Sequence, residues 1–273
     1  MKPQLQRRVQ RYGWNIAAEY YEDSWKEQLT PAQDKLMEMM HFQPCESVLE
    51  TACGTGLVTS RIAKAVGPDG KVSATDLSGD MIGLAKENVK TRNGLVKFHR
   101  MDAGALEMEE KSFDAAICAL GLMYVPDPIE SLNEMYRILK HGGRAGIAVW
   151  GERKNCGWAE IFPVIDKRVA TDVCPMFFQQ GTGNTLEMSM KKAGFRNINS
   201  VRFRHKLVFK NDEHALMAAF AGGPVALAYR KFDRQTKESA HSEYLNSIKN
   251  FRKNGGFEIP GEFVVARGVK YEK

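Results

Sequence analysis

The sequence predicts an α/β fold, a mostly parallel sheet sandwiched by helices, and three observations predict it. Short β-type runs alternate with amphipathic helical stretches from about residue 47 to 150, as strands joined by helical crossovers require. Turn sequences punctuate that alternation: Gly67-Pro68-Asp69-Gly70 before the second run, Asn93-Gly94 before the third, and His141-Gly142-Gly143 at the expected end of the helix before the fifth. At Val48–Leu57 an apolar run breaks into a glycine-rich turn and then a helix.

Taken in order, the strands are expected at Ser47–Thr51, Lys71–Asp76, Val96–Arg100, Phe113–Ala119 and Arg144–Val149. A helical stretch of about 40 residues precedes them and carries Trp14, Tyr20, Tyr21 and Trp25. Trp150 to Gly183 reads as irregular or loosely helical. Asn184-Thr185-Leu186-Glu187 has the form of a capping box opening a helix that ends at Gly194. Val201–Phe209 and Phe263–Arg267 complete seven strands, with helices expected between them at Glu213–Ala221 and Val225–Ser247.

Composition narrows the class. With 273 residues, 43% hydrophobic, 26% charged and 10% aromatic, the chain can bury a core and is not a disordered polymer. Its longest apolar stretch, Ala115 to Val125, has 11 residues, whereas a spanning helix needs about 20. Residues 1–8 lack a secretory apolar segment, so a cytoplasmic protein is expected. The cysteines at 45, 53, 118, 156 and 174 form no CxxC pair and no cluster with the histidines, so neither zinc nor a disulfide framework is expected. The net charge of +6 comes from bases spread among acids, which favours a solvated surface over a nucleic-acid site.

The chemistry concentrates in Val48-Leu49-Glu50-Thr51-Ala52-Cys53-Gly54-Thr55-Gly56-Leu57. Gly54 and Gly56 let a ligand approach the backbone at the carboxyl end of a parallel sheet. G-x-G alone is a weak signal, and a dinucleotide fingerprint would want a small residue where Thr59 stands. Glu50 decides against a pyrophosphate, which its carboxylate would repel, and in favour of a ligand carrying an ammonium and a sulfonium. Asp76 ends the second strand 26 residues on and is placed to accept from two ribose hydroxyls. Asp102 follows the third strand after a further 26 and could accept from an adenine amino group. Helix N-capping explains one such acid readily, but not three.

These residues resemble the class I S-adenosylmethionine-dependent methyltransferases, in particular the "methyltransferase type 11" group that includes ubiquinone/menaquinone C-methyltransferase-like enzymes. The matching segments are Val48–Gly56, Ala74–Met81, Met101–Ala103, Ser112–Ala116 and Glu134–Gly143. The resemblance implies a Rossmann-like seven-stranded sheet and S-adenosylmethionine as cofactor, with S-adenosylhomocysteine as product. It further implies that Glu50 orients the methionine end, in a turn with Ala52 and Thr55, and that Gly54 and Gly56 underlie the cofactor. Asp76 would take the ribose, Leu77 and Met81 the adenine face, Asp102 and Ala103 its edge, and Leu120 with Gly121 the methionine. Met81 reads equally well as core. Two residues depart from the family pattern: Glu50 for the commoner aspartate, and Ala52 for a common glycine.

One methyltransferase domain over 1–273 is expected: an N-terminal helical lid (1–45), a cofactor-binding core (46–150) and a substrate side (151–273) with a helical insertion before the last strand. The aromatic helix could equally dock on the sheet. Methyl transfer by in-line displacement obliges no catalytic residue. His99, His205, Tyr20, Tyr21 and Tyr124 are candidate bases, and spacing singles out none. Trp14, Tyr20, Tyr21, Trp25, Tyr124 and Trp150, with Met123 and Trp158, suggest an apolar, aromatic pocket for a small organic acceptor. Arg202, Arg204 and Lys206 alternate on a strand and could meet an anion or simply face water. A methyltransferase acting on RNA or protein, and a non-catalytic cofactor-binding protein, remain the alternatives. No RNA-binding module and no Asn-Pro-Pro-Tyr signature appears. A homodimer is left open.

Overall fold

The computed structural model describes residues 2–91, 94–169 and 176–271. Asn93 of the expected turn and Cys174 lie outside the described residues.

The chain opens with helix α1 (Pro3–Met40) and enters the sheet through β1 (Ser47–Thr51). Then follow α2 (Leu57–Val66), β2 (Lys71–Asp76), α3 (Gly79–Asn88), β3 (Val96–Arg100), β4 (Phe113–Ala119), α4 (Pro128–Ile138) and β5 (Leu139–Trp150). Helix α5 (Ile161–Asp166) and α6 (Thr185–Lys192) lead to β6 (Arg196–Phe209). The late helical segment holds α7 (Asp212–Leu216), a π-helical turn at Met217–Ala221, α8 (Ala226–Tyr229) and α9 (Arg234–Ile248). The two-residue β7 (Arg252–Lys253) and the long β8 (Gly256–Val269) close the sheet.

The strand order is β3-β2-β1-β4-β5-β8-β6, with β7 paired to β8 outside that row. Strands β1 to β5 pair in parallel, and β8 runs antiparallel to both of its neighbours, β5 and β6. Central strands are covered on both faces, which is why β4 reads Phe-Asp-Ala-Ala-Ile-Cys-Ala almost without alternation. Helix α1 packs with α2 and α3, while α4 packs with α6. One contiguous buried cluster runs from Trp25 and Leu36 of α1 through β1, β4 and β5 to Val265 of β8. Between β1 and β4 the strand order reverses, and this places a crevice at the carboxyl ends of the parallel strands.

The expected strands are present, three of them longer than the sequence pattern marked, and β7 makes an eighth. Three local expectations fail for identifiable reasons. His141-Gly142-Gly143 does not end α4, which stops at Ile138; the glycines lie in β5, past a register shift between Phe113 and Ala115. Lys270 ends that helix instead: its ammonium donates to the carbonyls of Tyr136 (2.7 Å), Arg137 (3.2 Å) and Leu139 (2.7 Å). The capping box at Asn184 does not form; Glu187 turns away to accept from the Ser200 hydroxyl. The expected helix Val225–Ser247 is two helices, because Asp233 caps α9 by accepting from Thr236 N at 2.7 Å.

Candidate active site

A cleft of about 980 Å³, mouth included, sits where the strand order reverses. Its acidic end is built by the turns after β1, β2 and β3. Beyond β1 the backbone enters the left-handed region at Ala52 (φ 52°), Gly54 (φ 55°) and Gly56 (φ 87°). That path brings Gly54 N within 2.9 Å of Asp76 Oδ2, while Ser78 N donates to Asp76 Oδ1 at 2.8 Å. Ser78 then caps α3, accepting from Met81 N at 3.1 Å, so one turn aims Asp76, Leu77 and Met81 at the cleft. After β3, Asp102 also lines it. Its Oδ1 accepts from Gly104 N at 2.9 Å and its Oδ2 from Arg7 Nε, and Arg7 reaches on to Glu130 at 3.0 Å.

Of the eleven residues expected at a cofactor, eight line this cleft: Ala52, Gly54, Asp76, Leu77, Met81, Asp102, Ala103 and Leu120. Glu50, Thr55 and Gly56 do not. Glu50 is buried, with its carboxyl accepting from the Thr59 hydroxyl of α2, and burial pushes it up to about 8. Thr55 is buried with its hydroxyl oxygen unpartnered. Gly56 is where α2 meets α3: a Cβ there would stand 2.6 Å from Val89 Cγ2. Its glycine serves helix packing rather than the cleft wall.

The other end is aromatic. Trp14 stands edge-on to Tyr124 at 4.9 Å and to Tyr21 at 5.8 Å, joining α1 to the turn after β4. Trp25 stands edge-on to Trp150 at 6.0 Å and to Trp158 at 5.4 Å, and its indole N–H donates to Ala218 O at 3.2 Å. On α1, Trp14 and Tyr21 face the cleft, and Trp25 docks into the core while also lining it. Tyr20 is corrected. It falls on the outer side of α1, 37% exposed, because a single helix face cannot hold both members of the Tyr20-Tyr21 pair.

Among the candidate bases only Tyr21 and Tyr124 line the cleft; His99 and His205 sit on β3 and β6 away from it. Burial pushes the Tyr21 phenol far above its ordinary range, with Asp76 adding to the effect. Arg202, Arg204 and Lys206 do not wait for an anion: the first two bridge to Glu262 and the third to Glu258, across the β6–β8 ladder. The described residues hold no group of side chains fit to bind a metal ion.

The cleft can be tested against the implied cofactor. Asp76 is buried, accepts from backbone N–H groups and makes no ion pair among the described residues, and burial pushes its carboxyl up to about 6. At Gly54 an added Cβ would find only Tyr21 Cε1, at 3.8 Å, so the backbone is open to a ligand. An unpaired carboxylate beside bare backbone, and apolar side chains at Leu77 and Met81, suit a cationic nucleoside. Residues 48–143 match the family profile described as a methyltransferase domain. Residues 48–143 thus form a methyltransferase domain at the centre of the chain.

Relatives of this methyltransferase domain are informative in different ways. The demethylmenaquinone methyltransferase of Listeria welshimeri is 33% identical over 128 residues, 46% of this chain and 54% of the relative. The chain spans about half the length of the curated relatives it matches. A candidate methyltransferase from Bacillus halodurans C-125 superposes with a TM-score of 0.62 at 20% identity, covering 88% of this chain and 99% of that one. A Haemonchus contortus phosphoethanolamine N-methyltransferase, solved with phosphomonomethylethanolamine and S-adenosylhomocysteine, gives 0.58 at 17% identity, covering 91% and 53%. Both likenesses establish the fold.

Parts of the cleft escaped the sequence reading. Arg7 and Gln10 of α1, Leu29, Met101, Val125, Pro126, Gly223 and Pro224 all line it. For Gly223-Pro224 a signal existed: Gly-Gly-Pro interrupts a helical period, as a loop reaching a ligand would. Arg7 meets Asp102 across 95 residues of sequence, and no local pattern announces such a contact.

Proposed function

We propose that the whole chain transfers the methyl group of S-adenosylmethionine to a small, uncharged, apolar acceptor. The observation that carries this reading is the division of one cleft into an end with an unpaired carboxylate and an end walled by rings. When bound, the cofactor supplies an electrophilic methyl on sulfur. The protein's residues bind and orient. Asp76 accepts from the ribose hydroxyls, Leu77 and Met81 pack the base, and the turns at Ala52 and Leu120–Gly121 border the methionyl end. Glu50, beneath the turn, holds it through Thr59. Trp14, Tyr21 and Tyr124 exclude water, and positioning in such a site is the main source of rate.

The acceptor class follows from what faces it. Trp25, Leu29, Met123, Trp150 and Trp158 offer apolar and aromatic surface. Among the described residues the only basic one on the wall is Arg7, already bridged to Asp102 and Glu130. A phosphorylated acceptor such as phosphomonomethylethanolamine would find no free cation, whereas a ring acceptor of the kind the demethylmenaquinone methyltransferases' name implies would be sheathed. The helix α1 roof favours a small molecule over a polymer. We take 1–273 as one unit and place it in a reducing compartment, the cytoplasm, since the four described cysteines are unpaired.

Incubation with radiolabelled S-adenosylmethionine and a cell extract, followed by mass identification of the labelled product, tests the reading. Label in a small apolar compound is expected. Label in RNA or protein, or none with cofactor bound, would refute it.

A further inference from the structure

The first turns of α1 carry bases and no acid. Residues 2–18 contain Lys2, Arg7, Arg8 and Arg11 and no acid; Glu19 is the first carboxylate. Arg7 is engaged by Asp102 and Glu130. Neither Lys2, Arg8 nor Arg11 makes an ion pair with another described residue, and the Arg11 guanidinium lies 5.6 Å over the Tyr12 ring. Lys2, Leu5, Arg8 and Tyr12 follow one another at spacings of three and four, which puts them on one stripe of the helix. All four are exposed, Leu5 at 50% and Tyr12 at 45%. The opposite side of the same turns belongs to the cleft: Gln6 donates to Tyr124 O at 3.4 Å, and Arg7, Gln10 and Trp14 line it.

We propose that this stripe docks the protein reversibly on an anionic lipid surface, seating the roof of the apolar cleft against the bilayer. Unpaired bases meet lipid phosphates, a half-exposed leucine enters the acyl boundary, and a tyrosine sits at headgroup level. RNA would use the cations but gains nothing from Leu5. Each basic residue near an anionic membrane strengthens binding roughly fivefold, so the stripe's two, Lys2 and Arg8, give weak, salt-sensitive attachment. No span is needed for it, and no helix among the described residues is long and apolar enough to cross a membrane. A guest soluble in lipid would then reach the cleft without crossing water.

The full chain should cosediment with phosphatidylcholine vesicles containing about a third phosphatidylglycerol, less so as ionic strength rises, and not with pure phosphatidylcholine. Arg8→Glu, replacing attraction by repulsion, should weaken this roughly 25-fold, and Leu5→Glu comparably. Both variants should keep the melting-temperature rise given by S-adenosylhomocysteine, which reads the fold and the cofactor end. If either loses that rise, Lys2→Glu, ahead of the helix, takes its place. Absence of vesicle binding, equal binding to neutral vesicles, or binding unchanged in the variants overturns the proposal. So does tighter binding to poly(U) RNA that Arg8→Glu removes and Leu5→Glu does not.

Discussion

The methyl carbon of Ala52 fills the space that a side chain on Gly121 would need: a Cβ on Gly121 would stand 2.3 Å from Ala52 Cβ and 3.1 Å from Cys118 Sγ. The turns after β1 and β4 interlock at this point. Ala52 (φ 52°) and Leu120 (φ 63°) both hold left-handed backbone without being glycine, at a cost of about 1 kcal/mol each. Both line the cleft. Gly121→Ala is therefore expected to destabilise by about 1–3 kcal/mol and to weaken S-adenosylhomocysteine binding. Ala52→Gly removes both the strain and the obstructing carbon, so the double variant should recover most of the loss. Thermal melting and calorimetric titration of the three variants check this, and additive losses would show that the contact does not decide the site.

Acid titration should move stability and cofactor affinity in opposite directions. Asp76 is pushed up to about 6 from 3.8, chiefly by burial. A carboxyl raised in the folded state binds its proton more tightly there, so the cofactor-free protein gains stability as pH falls from about 6 toward 4, by up to roughly 3 kcal/mol. Ribose hydroxyls need the carboxylate, so affinity for S-adenosylhomocysteine should fall across the same window. Asp76→Asn should flatten both responses and cost roughly 10-fold or more in affinity at pH 7.5. Glu50, raised to about 8 mainly by burial, adds stability that is lost as pH rises through 8. Melting curves with and without ligand from pH 4 to 9 separate the two groups.

The parallel half of this fold was legible because its signals are local. Strand, glycine turn and terminal acid lie within ten residues of one another, and the same grammar repeats at Asp76 and Asp102. That period could not tell which strand-end residues face outward from the turn and which lie beneath it. Glu50 and Gly56 went to the cleft in the sequence reading, yet Thr59 and Val89 hold them below it, partners set by how α2 packs. The late helices were blurred for a related reason: a helical period over Val225–Ser247 hides the break that the Asp233 cap imposes.

The bridge from Arg7 to Asp102 and Glu130 ties the first turns of α1 to the rim of the cleft. Its partners are 22% to 50% exposed, so its contribution to global stability is small, within about 1 kcal/mol. Its local effect should be larger. Arg7→Ala is expected to speed amide hydrogen exchange through Gln6–Gln10 by roughly 10-fold while leaving β1 and β4 protected. Exchange in Arg7→Ala equal to that of the unmodified protein would show that Gln6 and Trp14 hold the roof without it.

Among the described residues that line the cleft there is no histidine. Burial holds the Tyr21 phenol up, His99 and His205 lie elsewhere, and the buried thiol of Cys118 is raised to about 11. A general base contributes on the order of 10²–10⁴ in rate; with Asp76 committed to the ribose in the proposed function, the acceptor is expected to be a group that is nucleophilic as it arrives. Turnover should then follow the acceptor's own ionisation. Tyr21→Phe and Tyr124→Phe are expected to retain kcat within about threefold, with the pH at half-maximal rate unmoved, because neither ring exchanges a proton with the acceptor. A loss of a hundredfold or more with a displaced pH midpoint in either variant would assign the proton to that phenol.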